Sequence, residues 1–237
     1  VSHLTEKLVS LNANVSALSY YNSRGSNGWL DQAYQKIPDN LVIKQGDIRD
    51  AHFIDGIVDN ATTVFHLSSL IAIPYSYTAY QSYIDTNITG LSNLLTSCRR
   101  YDTKKIVHTS TSEVYGSALY TPIDEKHPLQ GQSPYAGSKI AADVIADSFY
   151  RSFDLPITTA RPFNTYGPRM RLNDGRVLPA FIGQALRSED LTIFGDGSQT
   201  RSFCYVDDLI DGIVKLLKSD YHLPVNIGNP DEITIKE

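Results

Sequence analysis

The sequence predicts an α/β protein built on a parallel sheet, and three observations carry that prediction. Short apolar runs rich in β-branched residues alternate with longer stretches of helical period, the signature of βαβ units. Each short run is of the length and composition of a strand covered on both faces. The 237 residues are 41% apolar and 20% charged, enough to build a core and far from a disordered composition.

The elements follow in order. A helix over Leu4 to Leu11 leads into a strand over Val15 to Tyr20, and a strand over Leu41 to Gln45 precedes a helix over His52 to Val58. The strand Thr63 to His66 is followed by a long helix, Tyr80 to Arg100, in which Ile84, Ile88, Leu91, Leu94 and Leu95 form one apolar stripe. Strands over Lys105 to Ser110 and Ile157 to Arg161 flank a helix over Pro134 to Phe153. Two more helices are expected, Val177 to Arg187 and Val206 to Lys218. After Asn164 the texture turns loop-rich, with Tyr166-Gly167-Pro168-Arg169 and Asn173-Asp174-Gly175 as turn signals. This divides the chain into a sheet domain over 1–163 and a smaller lobe over 164–237, interleaved with the first. The first helix starts with no strand before it, and in an open sheet the strand expected ahead of Ser2 is a central one. The last residues, Glu232 to Glu237, read as the start of a helix.

Composition excludes several functions. With 21 Lys and Arg against 26 Asp and Glu, the net charge of -5 gives no electrostatic footprint for nucleic acid or an anionic membrane. The 15 tyrosines lack the basic groove of a single-strand stacking platform. The longest nearly uncharged stretch, Val64 to Tyr83, holds His66 and Pro74 and does not read as a membrane span or signal peptide. Cys98 and Cys204 lie far apart, which predicts buried thiols in a reducing, cytoplasmic compartment rather than a disulfide framework. The six histidines show no metal-ligand spacing, so no metal site is expected. Ser110 and Ser112 lack the flanking glycines of a hydrolase nucleophile.

The chemistry concentrates in two segments. Thr109-Ser110-Thr111-Ser112-Glu113-Val114-Tyr115-Gly116 places four hydroxyls and a carboxylate just past a strand, where open α/β sheets bind ligands. Some twenty residues later Tyr135 and Lys139 stand four apart on a helix. That spacing puts the ammonium close to the phenol, where it favours the phenolate and makes Tyr135 a candidate base.

With these motifs the sequence resembles the extended short-chain dehydrogenase/reductases that act on nucleotide sugars, the NAD-dependent epimerase/dehydratase family. Further ordered motifs carry the resemblance: Gly46-Asp47-Ile48-Arg49-Asp50, Val64-Phe65-His66-Leu67, Asp85-Thr86-Asn87-Ile88-Thr89-Gly90, Arg161-Pro162-Phe163-Asn164 and Thr200-Arg201-Ser202-Phe203. The segments Tyr21-Asn22-Ser23, Ile71-Ala72-Ile73-Pro74-Tyr75 and Gly131-Gln132-Ser133-Pro134-Tyr135 are similar to 4,6-dehydratases of the legionaminic-acid type. The stretch from Asn173 to Arg201 is more similar to UDP-glucuronate decarboxylases.

The resemblance implies a Rossmann-type doubly wound sheet with a small substrate lobe, and a 4,6-dehydratase working by internal hydride transfer. Decarboxylation and 4-epimerisation are its alternatives, and a non-catalytic dinucleotide-binding relative or fragment is the alternative outside enzymes. Tyr135 and Lys139 would be catalytic with Thr111, Ser112 and Glu113, the last as base at the sugar C5. Asp47, Ile48, Leu67, Ser68, Ser69, Asn87, Ser110 and Pro162 would hold or support NAD, joined by Tyr135 and Lys139. Thr111, Asn164, Arg169, Arg176 and Arg201 would face a nucleotide-sugar substrate. The strand ending at Tyr20 lacks the acidic residue that usually holds the NAD ribose, and Arg24 leaves NADP as an alternative. The phosphate-cradling glycine loop is not in this sequence; Val1 stands where its last glycine would fall, which predicts weak dinucleotide binding. The resemblance also implies a homodimer through the helices Tyr80 to Arg100 and Pro134 to Phe153.

Overall fold

A computed structural model describes residues 1–172 and 175–237, and its main strands all run parallel. The chain begins with α1 (Ser2–Ser10), β1 (Val15–Tyr20), a short α2 (Trp29–Ala33), β2 (Leu41–Gly46) and α3 (Ala51–Val58). Asp50 caps α3, its carboxylate accepting from the backbone N–H of His52 at 3.0 Å and of Phe53 at 3.1 Å. Then come β3 (Thr63–His66), α4 (Ile73–Thr78), α5 (Tyr80–Tyr83), a π turn (Ile84–Thr89), α6 (Gly90–Arg100) and β4 (Lys105–Thr109). A 3₁₀ turn (Ser112–Tyr115) leads to α7 (Pro134–Phe153) and β5 (Ile157–Pro162). Ser133 caps α7 by accepting from Ala136 N–H at 3.1 Å, with Pro134 at the first helical position, where its missing N–H costs nothing.

The expected helix Tyr80 to Arg100 is thus three segments, because a π turn interrupts the ladder where Asn87 is buried. The short helices α2 and α4 carry too few residues to show a period and were not expected from the sequence.

The strands form a pair, β1-β2, and a four-stranded ladder in the order β3-β4-β5-β9, where β9 is Val225–Ile227. Among the described residues no ladder joins β1 to β3. A cavity of about 880 Å³ lies between them, lined by Val15 and Ala17 of β1, Val64 and His66 of β3, and Leu4 and Leu8 of α1.

Helices cover both faces of the larger ladder. Ile106 and Ile157 pack with Ile54, Leu91, Leu95 and Ala142 of α3, α6 and α7. One residue on, Val107 turns to the opposite face and packs with Ala160, Leu4 of α1, and Ile210 and Ile213 of α9 (Val206–Leu217). Cys98 and Cys204 are both buried, and burial pushes the Cys98 thiol up to about 11.

After Asn164 the short strands pair among themselves. β6 (Thr165–Tyr166) pairs in parallel with β8 (Cys204–Tyr205), and β7 (Thr200–Arg201) pairs antiparallel with β10 (Ile233–Thr234), while α9 and β9 return to the main sheet. α8 (Val177–Leu186) matches the expected helix, and of the turn Asn173-Asp174-Gly175 the first two residues lie outside the described residues. The segment Glu232 to Glu237, expected to start a helix, instead gives Ile233 and Thr234 to a strand pair. It still closes a capping box: Thr234 Oγ1 accepts from Glu237 N–H at 3.2 Å, and the Glu237 carboxylate accepts from Thr234 N–H at 2.9 Å.

Candidate active site

Because the strands are parallel, their carboxyl ends share one edge of the molecule, the edge at which such sheets hold ligands. β4 ends at Thr109, and Ser110 continues the ladder by donating its N–H to Ala160 O at 2.7 Å. Thr111 then caps the 3₁₀ turn, its Oγ1 accepting from Glu113 N–H at 3.2 Å. Gly116 closes the turn with φ 66°, and a Cβ there would stand 2.2 Å from the Gln130 carbonyl oxygen, so only glycine fits. The turn thereby leaves Thr111 buried, Ser112 half-buried and Glu113 exposed beside α7.

α7 brings in Tyr135 and Lys139, both buried. The Tyr135 ring packs edge-on against Tyr83, centroids 6.2 Å apart, and its hydroxyl hydrogen-bonds to the Thr111 side chain. Burial raises the phenol above its ordinary value, against the Thr111 hydrogen bond, and the Glu113 charge raises it further. The Lys139 ammonium corrects the expectation from spacing. It donates to Thr109 O at 2.7 Å and reaches Ser69 Oγ at 3.4 Å, at the ends of β4 and β3, rather than to the phenol. A buried ammonium needs acceptors, and these strand ends supply them. Burial pushes Lys139 down to about 8, with Asp143 opposing.

Asn87, on the π turn, braces this corner. Its Oδ1 accepts from Leu70 N–H at 2.8 Å and from Ser69 Oγ at 2.9 Å, while its Nδ2 donates to Leu70 O at 3.0 Å and to Ser138 Oγ at 2.9 Å. One side chain thus ties the end of β3 to the turn of α7 between Tyr135 and Lys139. π turns recur at functional sites for such displacements of the ladder.

The other expected residues are placed unevenly. Leu67 and Ser68 continue β3 along the central cavity. Ser110 is buried after β4, and Pro162 ends β5 in register with Ile227. Asp47 follows β2 and is held by Arg49, whose Nε donates to it at 3.0 Å and keeps the carboxyl below its usual range. Ile48 is buried against Gly90 of α6. Asn164 and Arg201 are exposed, Asn164 donating to Ser202 O at 3.3 Å and Arg201 to Thr200 O at 2.7 Å. Arg176 is exposed at the start of α8. Arg169 forks onto Glu6, at 2.6 and 2.9 Å, and onto Ser2 Oγ at 2.9 Å, so its guanidinium is engaged by α1 rather than brought to the Tyr135 cluster. At the end of β1, the Asn22 carboxamide holds the Arg24 and Ser26 N–H groups, leaving Arg24 exposed.

Sequence reasoning missed a buried polar layer just beneath these strand ends. His66 Nδ1 lies 2.9 Å from His108 Nδ1, His108 Nε2 lies 3.6 Å from Asp143, and Arg161 Nε donates to Asp143 at 3.0 Å. Arg161 also donates to the Tyr115 hydroxyl at 3.0 Å, which donates to Asn226 Oδ1 at 2.6 Å. The one available signal was the four-residue step from Lys139 to Asp143 on α7. Among the described residues no group of three or more His, Cys, Asp or Glu is placed to hold a metal, and no helix is long and apolar enough to cross a membrane.

Comparison with known proteins gives the family. A family model described as GDP-mannose 4,6 dehydratase matches residues 2–237. UDP-glucuronic acid decarboxylase 6 of Arabidopsis thaliana is 37% identical over 246 residues, covering 100% of this chain and 68% of its own length. The chain spans 42% to 68% of the length of the first six curated relatives it matches, all Arabidopsis UDP-glucuronic acid decarboxylases. A UDP-N-acetylglucosamine 4-epimerase from Methanobrevibacter ruminantium, solved with UDP-N-acetylmuramic acid, superposes with a TM-score of 0.91 at 30% identity, over 99% of this chain and 74% of that one. A double mutant of a dTDP-glucose 4,6-dehydratase from Streptomyces venezuelae, solved with NAD, gives a TM-score of 0.89 at 26% identity with the same coverage. With its doubly wound parallel sheet and a match along nearly its whole length, the chain belongs to the GDP-mannose 4,6-dehydratase family, within the NAD-dependent epimerase/dehydratase branch of the short-chain dehydrogenase/reductases.

Proposed function

We propose that this chain is a nucleotide-sugar 4,6-dehydratase that oxidises the sugar at C4 and removes water across C5 and C6. The observation that carries the reading is the grouping of Tyr135 with Thr111 and Glu113, on the helix that also carries the buried Lys139 ammonium. The site fits a dinucleotide. Lys139 is a buried cation with donor capacity, Ser69 and Ser110 present hydroxyls at neighbouring strand ends, and Asp47 and Ile48 stand at the end of β2. NAD is the cofactor favoured, with NADP the alternative that Arg24 leaves open. When bound, it would supply the hydride acceptor for the sugar C4.

The protein's own groups do the rest. Tyr135 accepts the proton of the sugar 4-hydroxyl, and Thr111 shares that hydrogen bond. Burial holds the phenol up, and in this reading Lys139, one turn further along α7, has the part of favouring the phenolate. Glu113 takes the C5 proton, made acidic by the adjacent ketone, and then gives a proton to the departing hydroxyl. The Ser112 hydroxyl is too weak an acid for that donation, which leaves both tasks to Glu113. Asn164, Arg201 and Arg176 are proposed to meet the sugar diphosphate, where a guanidinium fork suits phosphate oxygens.

A second reading is decarboxylation of a nucleotide uronic acid, favoured by the 37% identity with the plant decarboxylase along the whole chain. The same C4 ketone then labilises the C5 carboxylate. Mass spectrometry after incubation with NAD and a panel of UDP-, GDP- and dTDP-linked sugars separates the two. Loss of one water from a hexose nucleotide supports dehydration, and loss of carbon dioxide from UDP-glucuronate overturns it in favour of decarboxylation. An unchanged mass with an altered sugar on hydrolysis identifies a 4-epimerase, and no change of any kind identifies a non-catalytic relative. The protein is further proposed to form a homodimer through α5, α6 and α7, where Tyr80, Ile84 and Val144 are exposed.

A further inference from the structure

Asp143 follows Lys139 by one helical turn on the same face of α7. It is the only acidic side chain buried among the described residues, and the layer around it holds two buried cations, Lys139 and Arg161. One Asp143 oxygen accepts from Arg161 Nε at 3.0 Å, and the other lies 3.6 Å from His108 Nε2. The charged or titratable groups facing the carboxylate are Lys139 and Tyr135 on its own helix, His108 on β4 with His66 behind it on β3, and Arg161 on β5 with the Tyr115 phenol beyond it. None of these except Lys139 and Tyr135 has a part in the chemistry proposed above.

The contacts fall on adjacent residues of one strand end. Lys139 holds Thr109 through its carbonyl, and Asp143 faces His108 immediately before it. The helix that carries the catalytic pair is therefore bonded to β4 through Lys139 and Thr109 and to β5 through the Arg161 bond, with Asp143 facing His108 between them. A buried ion pair is weak evidence for stability, since apolar side chains of similar volume do as well or better in many cores. A carboxylate that pairs with one buried cation and lies one helical turn from a second has an electrostatic consequence that apolar packing does not reproduce.

We propose that Asp143 is a positioning residue that acts through Lys139, serving as the shared buried counter-charge that keeps the ammonium protonated and seated on Thr109. The inference rests on the reading of Tyr135 and Lys139 as the catalytic pair, and it goes beyond it by naming what sustains the cation. Consistent with this geometry, Asp143 raises the Lys139 value that burial lowers to about 8.

The test is an NMR titration of isotope-labelled lysine side chains, with Lys139 assigned by the loss of its signal in Lys139→Met. In Asp143→Asn the Lys139 midpoint is expected to fall by about one pH unit or more. The alkaline limb of the pH–rate profile should move down by the same amount. A Lys139 midpoint unchanged in folded Asp143→Asn overturns the proposal. Should that variant not fold, the double variant Asp143→Leu with Arg161→Met removes the buried charge pair together and is titrated instead. If Asp143 serves only to pair Arg161, this double variant restores the wild-type midpoint and pH profile. If it acts through Lys139, the midpoint stays low. The titration reads Lys139 without turnover, so it stands apart from the test of the catalytic reading, which fails if Tyr135→Phe turns over normally.

Discussion

The Asn87 carboxamide donates to the Ser138 hydroxyl at 2.9 Å, joining the π turn to the stretch of α7 between Tyr135 and Lys139. The same side chain satisfies both the N–H and the C=O of Leu70, so it stands in for a ladder partner at the end of β3. Asn87→Leu keeps the volume and removes all four bonds. Leaving buried donors and acceptors unpaired costs roughly 1–3 kcal/mol. Denaturant unfolding should show that loss together with reduced turnover, and wild-type values of both would contradict the bracing role.

Tyr135→Phe removes one oxygen from a well-packed ring. Turnover should fall by roughly 10²- to 10⁴-fold, the span of general acid–base catalysis. The melting temperature should hardly move, since the edge contact with Tyr83 remains. A variant that turns over like wild type would remove Tyr135 from the mechanism.

The His66–His108 pair makes stability depend on pH. Burial holds both below the ordinary value of 6.5, the Lys139 charge adds to this, and for His66 so does its neighbour His108. In the unfolded chain the same side chains take up protons near 6.5, so below that pH the unfolded state binds more protons than the folded one. Stability is therefore retained above about 6.5 and lost as pH falls toward the folded-state values. The double variant His66→Gln, His108→Gln should flatten the unfolding free energy between neutral pH and pH ~5, and an unchanged slope would assign the acid sensitivity elsewhere.

Gly116 closes the turn that presents Glu113. Gly116→Ala meets both a positive φ and the Gln130 carbonyl oxygen at 2.2 Å, so the turn must shift. The expected cost is about 1–3 kcal/mol, with turnover falling further than stability alone explains. Full activity in Gly116→Ala would show that the placement of Glu113 is not critical.

Val144, on α7, is 59% exposed. Val144→Asp places a charge at the proposed dimer face without touching the buried side of the helix. Size-exclusion chromatography with light scattering should show a dimer that dissociates in the variant, and an unchanged dimer would move the interface to another face.

The main strands and helices were legible because their signals are local. Val15–Tyr20 and Thr63–His66 are bounded as the composition predicts, and α7 carries its start in Ser133-Pro134. The C-terminal strands were not legible, since β6, β7 and β8 have two residues each and owe their existence to the partner they meet. In the site, the i,i+4 step located Tyr135 and Lys139 but misjudged what Lys139 touches. Its acceptors, Ser69 and Thr109, are 70 and 30 residues away in sequence.

By itself the sequence determined the alternation of strands and helices, the hydroxyl-rich strand end at Thr109 to Ser112, and the helix that carries Tyr135 and Lys139. Each of these follows from backbone periods of two to four residues. Only the tertiary structure decided that His66 faces His108, because that pairing needs β3 beside β4 in one particular register. It likewise decided that Asp143 meets Arg161 across α7 and β5, and that Arg169 is drawn to Glu6 on α1. Those contacts depend on which distant segments become neighbours, and a buried charge must find its partner wherever the packing of the sheet delivers one.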